Sequence, residues 1–281
     1  MNKMSTSSHT EKNIYQPFEA TVVDIKEETP TIKTVVLKIR SNFSFRTGQF
    51  IEMTVPGLGE APFTPSSDPG VKTSIEVTIM KVGMVTEKIH GLQKEDTVGI
   101  RGPYGKGYPL DKFKGKDVVI VGGGVGLAPL RSLLLSLFSD IDNYRSICLR
   151  YGARTPADVI YKELLPEWAK KKKVDVVTTV DIGDPSWKGN VGLVTTILKD
   201  LPVDMKQAVA VVCGPPIMMK FVTLKLLDIG FKPADIYLSM EKSMSCGVGK
   251  CGHCRVGKFY ACKDGPVFTY EELKDIHDIW D

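Results

Sequence analysis

Histidine is scarce, with four in 281 residues. His90, His253 and His277 sit in unrelated segments, and no Ser/His/Asp set or acid pair is recognisable. The usual starting points for nucleophilic hydrolysis and paired acid–base chemistry are therefore missing. Charge of one sign is also lacking: 37 basic side chains face 33 acidic ones, for a net +4. A nucleic-acid surface would need clustered Lys and Arg on a groove-reading element. The run from Lys170 to Lys173 instead reads as a solvated helix end that complements the helix dipole. Long apolar runs are absent. Val118 to Val121 runs straight into glycines, and Leu133 to Phe138 is short. Both fall below the roughly 18 uncharged residues a spanning helix needs. Residues 1–16 are polar and have no apolar stretch, so they are expected to form a frayed tail rather than a secretory signal. The expected location is the cytoplasm. There is no internal repeat and no low-complexity tract. What remains is an ordinary globular composition, 42% hydrophobic and 25% charged, with room for two medium domains and a small appendage.

The six cysteines are unevenly spread. Cys148 and Cys213 stand alone among apolar neighbours and read as core residues. Cys246, Cys251, Cys254 and Cys262 crowd one short stretch near the C-terminus. In a cytosolic chain such a cluster reads as metal-binding more readily than as disulfides. The spacing is C-x4-C-x2-C with a more distant fourth cysteine, which is the plant-type [2Fe–2S] pattern. Gly247, Gly249 and Gly252 suit a loop that must wrap a cluster closely and turn its amides toward sulfur. A zinc knuckle is the competing reading, although zinc sites usually pair two short C-x2-C hooks and only one is present.

Three kinds of segment follow one another. Residues 17–112 carry short runs rich in Val, Ile, Thr and Phe, punctuated by Gly and Pro. They predict an antiparallel β-barrel or sandwich with one short helix, Val85 to Leu92. Residues 113–236 alternate strand and helix patterns. Strands are expected at Lys116–Val121, Ser146–Tyr151, Val174–Val180, Ala208–Cys213 and Asp235–Met240. Helices are expected at Ala128–Phe138, Ala157–Lys170, Leu193–Leu201 and Pro216–Leu227. Such alternation predicts a doubly wound parallel sheet. Residues 237–281 are rich in Gly and Cys and too small for a core of their own, so a metal or covalent link must organise them.

Within the alternating region, Gly122, Gly123, Gly124 and Gly126 lie between a strand and a helix that carries Pro129 near its first turn. Small residues there let amides approach a pyrophosphate, and the helix N-terminus favours its charge. The loop is neither G-x-G-x-x-G nor a Walker loop. Cys213-Gly214-Pro215-Pro216 ends another strand, at the edge where open α/β sheets bind ligands.

Four motifs in this order resemble the ferredoxin–NADP reductase superfamily. More narrowly, the chain resembles electron-transfer subunits that hold flavin and a [2Fe–2S] cluster, found in sulfhydrogenase, anaerobic sulfite reductase and dihydroorotate dehydrogenase. The resemblance implies a flavin-binding β-barrel, an NAD(P)H-binding α/β domain and a [2Fe–2S] module. It also implies a flavin-dependent oxidoreductase working with catalytic or iron–sulfur partner subunits. By the same resemblance Pro62, Phe63, Thr64 and Ser67 hold the flavin, and Gly83 and Thr86 open a helix that cradles the FAD pyrophosphate. Ala61 stands where the family has Arg. The loop from Gly122 to Pro129 takes the NAD(P)H pyrophosphate, and Cys213, Gly214, Pro215 and Glu241 line the nicotinamide pocket. Arg101-Gly102-Pro103-Tyr104-Gly105 matches the segment that closes the barrel. Arg154 is either a partner for a 2′-phosphate or a partner for Asp158. Two alternatives stay open at this stage: a stand-alone NAD(P)H:ferredoxin-type reductase, and a non-enzymatic, zinc-stabilised nucleotide-binding module.

Overall fold

A computed structural model describes residues 13–39 and 43–280, so most of the polar tail lies outside the described residues. The first unit holds β1 (Phe18–Thr29), β2 (Ile32–Lys38), β3 (Phe50–Val55), β4 (Gly59–Phe63), β5 (Ser74–Met80), α1 (Met84–His90) and β6 (Thr97–Tyr104). They form an antiparallel sheet of order β4-β3-β6-β1-β2-β5. No pairing of the edge strands β4 and β5 closes it into a full barrel among the described residues. Val22, Val35, Leu37, Ile51, Met53, Ile75, Val77 and Ile100 fill its core with alternating apolar positions. Strands β4 and β6 have weak sequence patterns because Gly59, Pro62, Gly99, Gly102 and Pro103 interrupt them.

The second unit holds α2 (Leu110–Phe113), β7 (Asp117–Gly123), α3 (Leu127–Ser139), β8 (Ser146–Ala153), α4 (Leu164–Ala169), β9 (Val174–Val180), β10 (Asn190–Val191), β11 (Ala208–Cys213), α5 (Pro216–Asp228) and β12 (Ile236–Ser239). The third holds β13 (Arg255–Val256), β14 (Phe259–Tyr260), β15 (Val267–Thr269) and α6 (Tyr270–Leu273). The large sheet has order β10-β9-β8-β7-β11-β12-β15. Its strands run parallel except for β15. Helix α3 repeats leucine at Leu130, Leu133, Leu134 and Leu137, all fully buried against one sheet face. Met219, Val222 and Leu226 of α5 cover the other face. Each such side chain contributes about 1.5–3 kcal/mol of burial.

Two expected helices do not form as drawn. Ala157–Lys170 breaks into a 3-10 turn at Pro156–Asp158 and the short α4, because Tyr161 takes a positive φ of 54° between them. Leu193–Leu201 shortens to a 3-10 helix at Val194–Leu198, where a β-branched run disfavours regular helix and Pro202 follows. The C-terminal unit is organised by more than its cysteines. Strand β15 pairs with β12 through Leu238 and Phe268, and Cys254, Val256, Ala261 and Cys262 join the core beneath α5.

Candidate functional site

The chain builds β7 to β10 outward on one side, then returns to lay β11 on the other side of β7. The ends of β7 and β11 are therefore the topological switch point of the sheet, where ligands of open α/β folds bind. Both glycine motifs lie there and touch. A β-carbon at Gly126 would sit 2.5 Å from the Cys213 carbonyl oxygen, and one at Gly214 would sit 2.2 Å from the Met218 side chain. Gly124 takes a φ of 54° at the turn into α3. Pro129 occupies the first turn of α3, where no backbone donor is required. Cys213 is 8% exposed, and burial pushes its thiol up to about 12 against a hydrogen bond with Ser239. Glu241 adds to the rise and is itself exposed. Pro215 precedes α5.

In the first unit, Pro62 and Phe63 end β4 opposite Glu52 and Ile51. Thr64 and Ser67 follow on the segment leading to β5. Ser67 is 6% exposed and its hydroxyl has no partner. A buried hydroxyl left unpaired costs free energy unless a further group meets it, so this residue fits a bound cofactor. Thr86 behaves differently. Its hydroxyl accepts from the Val82 and Gly83 amides at 2.8 and 2.9 Å and donates to the Gly83 carbonyl at 2.8 Å. It is fully used in shaping the entry to α1.

The cysteine loop is built around sulfur. The Cys246 sulfur accepts from the amides of Val248, Lys250 and Cys251 at 3.4, 3.2 and 3.4 Å. The Cys262 sulfur accepts from the Gly249 amide at 3.0 Å and lies 3.2 Å from the Cys254 sulfur. Gly247, Gly249 and Gly252 have φ of 71°, 72° and 85°, the left-handed region that side chains disfavour. Burial acts to raise the Cys246 thiol, but the three amides and the Cys251 thiol outweigh it and bring the group down to about 6. Cys262 goes the other way, to about 12, through burial and the neighbouring Cys254. The four thiols thus fall into two pairs, Cys246 with Cys251 and Cys254 with Cys262. His253 bonds Ser245 at 2.6 Å in an exposed position and is not needed as a ligand.

A buried polar network joins this loop to the first unit. Arg101, 4% exposed, pairs with Glu60 and donates to the Tyr104 hydroxyl at 3.1 Å and the Cys246 carbonyl at 3.3 Å. Glu52 is fully buried beside it with both carboxylate oxygens unpartnered, and burial first, then Glu60, pushes it up to about 7. Sequence reading names Arg101 only as part of a motif and misses Glu52. The available signal was a carboxylate inside the apolar run Gln49 to Val55.

Comparison with known proteins agrees with this layout. The oxidoreductase FAD-binding domain family matches residues 19–108, the oxidoreductase NAD-binding domain family residues 120–223, and the iron–sulfur cluster binding domain of dihydroorotate dehydrogenase B residues 241–274. The sulfhydrogenase 2 gamma subunit of Pyrococcus furiosus is 38% identical over 92% of this chain and 96% of that one. The chain belongs to the flavin and iron–sulfur electron-transfer subunits. A probable dihydroorotate dehydrogenase B electron-transfer subunit of Methanocaldococcus jannaschii is 33% identical over 94% of this chain and 93% of its own. A solved NADH-dependent reduced ferredoxin–NADP oxidoreductase matches with a TM-score of 0.74 and 25% identity, covering 90% of this chain and 89% of that one.

This electron-transfer subunit therefore carries FAD-, NAD- and iron–sulfur-binding domains in that order, on a reductase fold. No helix among its described residues is long and apolar enough to cross a membrane. Two further expectations are informed by the geometry. Arg154 is exposed and makes no ion pair with Asp158 among the described residues; the Asp158 carboxylate instead holds the Thr155 amide and hydroxyl at 3.1 and 2.7 Å. Cys148 is a core thiol, pushed up to about 11 by burial.

Proposed function

We propose that this subunit passes a hydride between NAD(P)H and FAD and delivers single electrons through a [2Fe–2S] cluster to a partner subunit. The partner is of hydrogenase type, as the name of the sulfhydrogenase relatives suggests, with sulfite reductase and dihydroorotate dehydrogenase types next. The observation that carries the reading is the pairing of four thiols on a loop whose amides already point at sulfur. A two-iron cluster asks for two thiolate pairs. A single zinc ion asks for four ligands converging on one point rather than two separate pairs.

The residues divide the work. Gly122, Gly123, Gly124 and Gly126 let the backbone approach the NAD(P)H pyrophosphate at the N-terminus of α3. Cys213, Gly214 and Pro215 hold the nicotinamide end, with Cys213 as a neutral thiol packed at the pocket floor and Glu241 at its rim. Pro62, Phe63, Thr64 and Ser67 seat the flavin. Gly83 and Thr86 shape the turn that offers amides to its phosphates. Cys246, Cys251, Cys254 and Cys262 hold the cluster. Bound there, the flavin accepts a hydride and the cluster takes electrons one at a time, a conversion that belongs to the cofactors while the protein positions them. The cytoplasm is the compartment that suits four reduced thiols.

Anaerobically purified protein is expected to show flavin bands and about two irons per chain. Protein that holds zinc, or no flavin, would contradict the reading. The Cys246→Ser variant should lose cluster absorbance while it keeps dye reduction at the flavin.

A further inference from the structure

Between Lys242 and Lys263 the chain has five Lys or Arg and no Asp or Glu. Three of these basic residues are chain neighbours of cluster cysteines: Lys250 precedes Cys251, Arg255 follows Cys254 and Lys263 follows Cys262. Lys250, Arg255, Lys258 and Lys263 are all exposed, and none makes an ion pair among the described residues. Cys251 is exposed in their midst, whereas Cys254 and Cys262 are 2% exposed. The stem of Lys263 lies over Gly249, where an added β-carbon would sit 2.9 Å from it, so the second cysteine pair brings its cation onto the cysteine loop. Arg255 bonds the Gly257 carbonyl at 3.2 Å, and Lys258 rests on the Phe259 ring.

Four acids of the same unit are engaged elsewhere, and Glu241 and Asp275 lie outside the stretch from Lys242 to Lys263. Asp264 accepts from the Tyr260 amide, Glu272 caps α6 at Thr269, Glu271 pairs with Lys274, and Asp278 bonds His277. In the chain as a whole the basic excess is only +4. Lys250, Arg255, Lys258 and Lys263 are thus gathered without an ion pair among the described residues where the cysteine loop reaches the surface.

We infer that this rim is the electron-exit face, and that it docks a partner protein presenting an acidic surface around its own redox centre. The inference rests on the electron-transfer reading above and adds where the partner docks and with what charge. Opposite charge at a small exit face speeds association and fixes the orientation of the partner more than it adds affinity. Each NAD(P)H gives up two electrons, so two one-electron acceptor molecules are reduced for each one oxidised.

The test uses the full subunit with NADH or NADPH and two haem acceptors, the acidic cytochrome b5 and the basic cytochrome c. The acidic acceptor should react faster at low salt, and its kcat/KM should fall about tenfold between roughly 20 and 300 mM salt, as screening predicts. The basic one should show no such fall. In the double variant Arg255→Glu, Lys258→Glu the preference should reverse, with iron content and dye reduction unchanged. If that variant loses its cluster, the salt dependence of the unaltered protein still decides. Equal response of the two acceptors to salt would overturn the inference. So would binding to phosphatidylglycerol vesicles that the same two substitutions abolish, because it would make the rim a lipid-facing surface. Absent cluster absorbance or dye reduction in the unaltered protein would instead remove the parent reading.

Discussion

Cys213 shows how a single side chain is set by its surroundings. Its thiol is pushed up to about 12, chiefly by burial, from an ordinary value of 9.0. A group raised on folding contributes stability that is complete below its unfolded value and is lost as pH climbs toward its folded one. The advantage of Cys213 over alanine should therefore hold at pH 7 and shrink by about 2 kcal/mol near pH 10.5, where the unfolded thiol ionises and the folded one does not. Urea midpoints of the native protein and Cys213→Ala at the two pH values measure this. The native thiol should also resist iodoacetamide at pH 8 until the chain unfolds. Rapid alkylation at Cys213 would contradict the burial argument.

At the scale of elements, the glycines at the sheet switch point matter through contact as well as conformation. The close approach of Gly126 to the Cys213 carbonyl leaves no room for a methyl group. Gly126→Ala should push the loop off β11, cost about 1–3 kcal/mol as overpacking does, and raise the Michaelis constant for NAD(P)H. Flavin content should stay normal, because the first unit is untouched. Thermal melts and steady-state kinetics separate the two effects.

These elements also show what was legible in the sequence. Leu130, Leu133, Leu134 and Leu137 announced α3 because one helix face does one job, and Ala208–Cys213 was readable because a strand covered on both faces is apolar throughout. The cysteine loop was readable because four cysteines at short spacing, interleaved with glycines, are conspicuous in the chain. Strand β4 was not, since its pairing is decided by β3 rather than by its own composition. The break at Tyr161 was hidden because that residue's conformation answers to distant groups: its hydroxyl meets Thr78 at 2.6 Å and its amide meets Glu28 at 3.0 Å. Glu52 was missed for the same reason, since only the fold brings Arg101, Glu60 and the cysteine loop beside it.

Across the whole molecule, charged groups join the three units. Arg131 of α3 pairs with Glu76, donates to the Ser66 carbonyl at 3.1 Å and lies 5.1 Å over the Tyr161 ring, which ties the second unit to the first. Arg101 ties the first unit to the cysteine loop. Arg101→Met would leave Glu60 unpaired and Glu52 without its compensating neighbour in a buried site. The expected cost is about 3–5 kcal/mol, the range for breaking a buried pair, together with loss of iron ahead of flavin on heating. Simultaneous release of both cofactors would argue that the network does not specifically hold the cysteine loop.

In the proposed function, electrons enter this chain as a hydride and leave singly through a cluster held by the four cysteines. The most direct measurement is an anaerobic titration with NADH and with NADPH, followed by visible absorbance and low-temperature electron paramagnetic resonance on one sample. The flavin bands should bleach and a reduced [2Fe–2S] signal should appear, which Cys246→Ser abolishes while flavin bleaching persists. Flavin bleaching with no cluster signal in the unaltered protein, even with dithionite present, would contradict the proposed function.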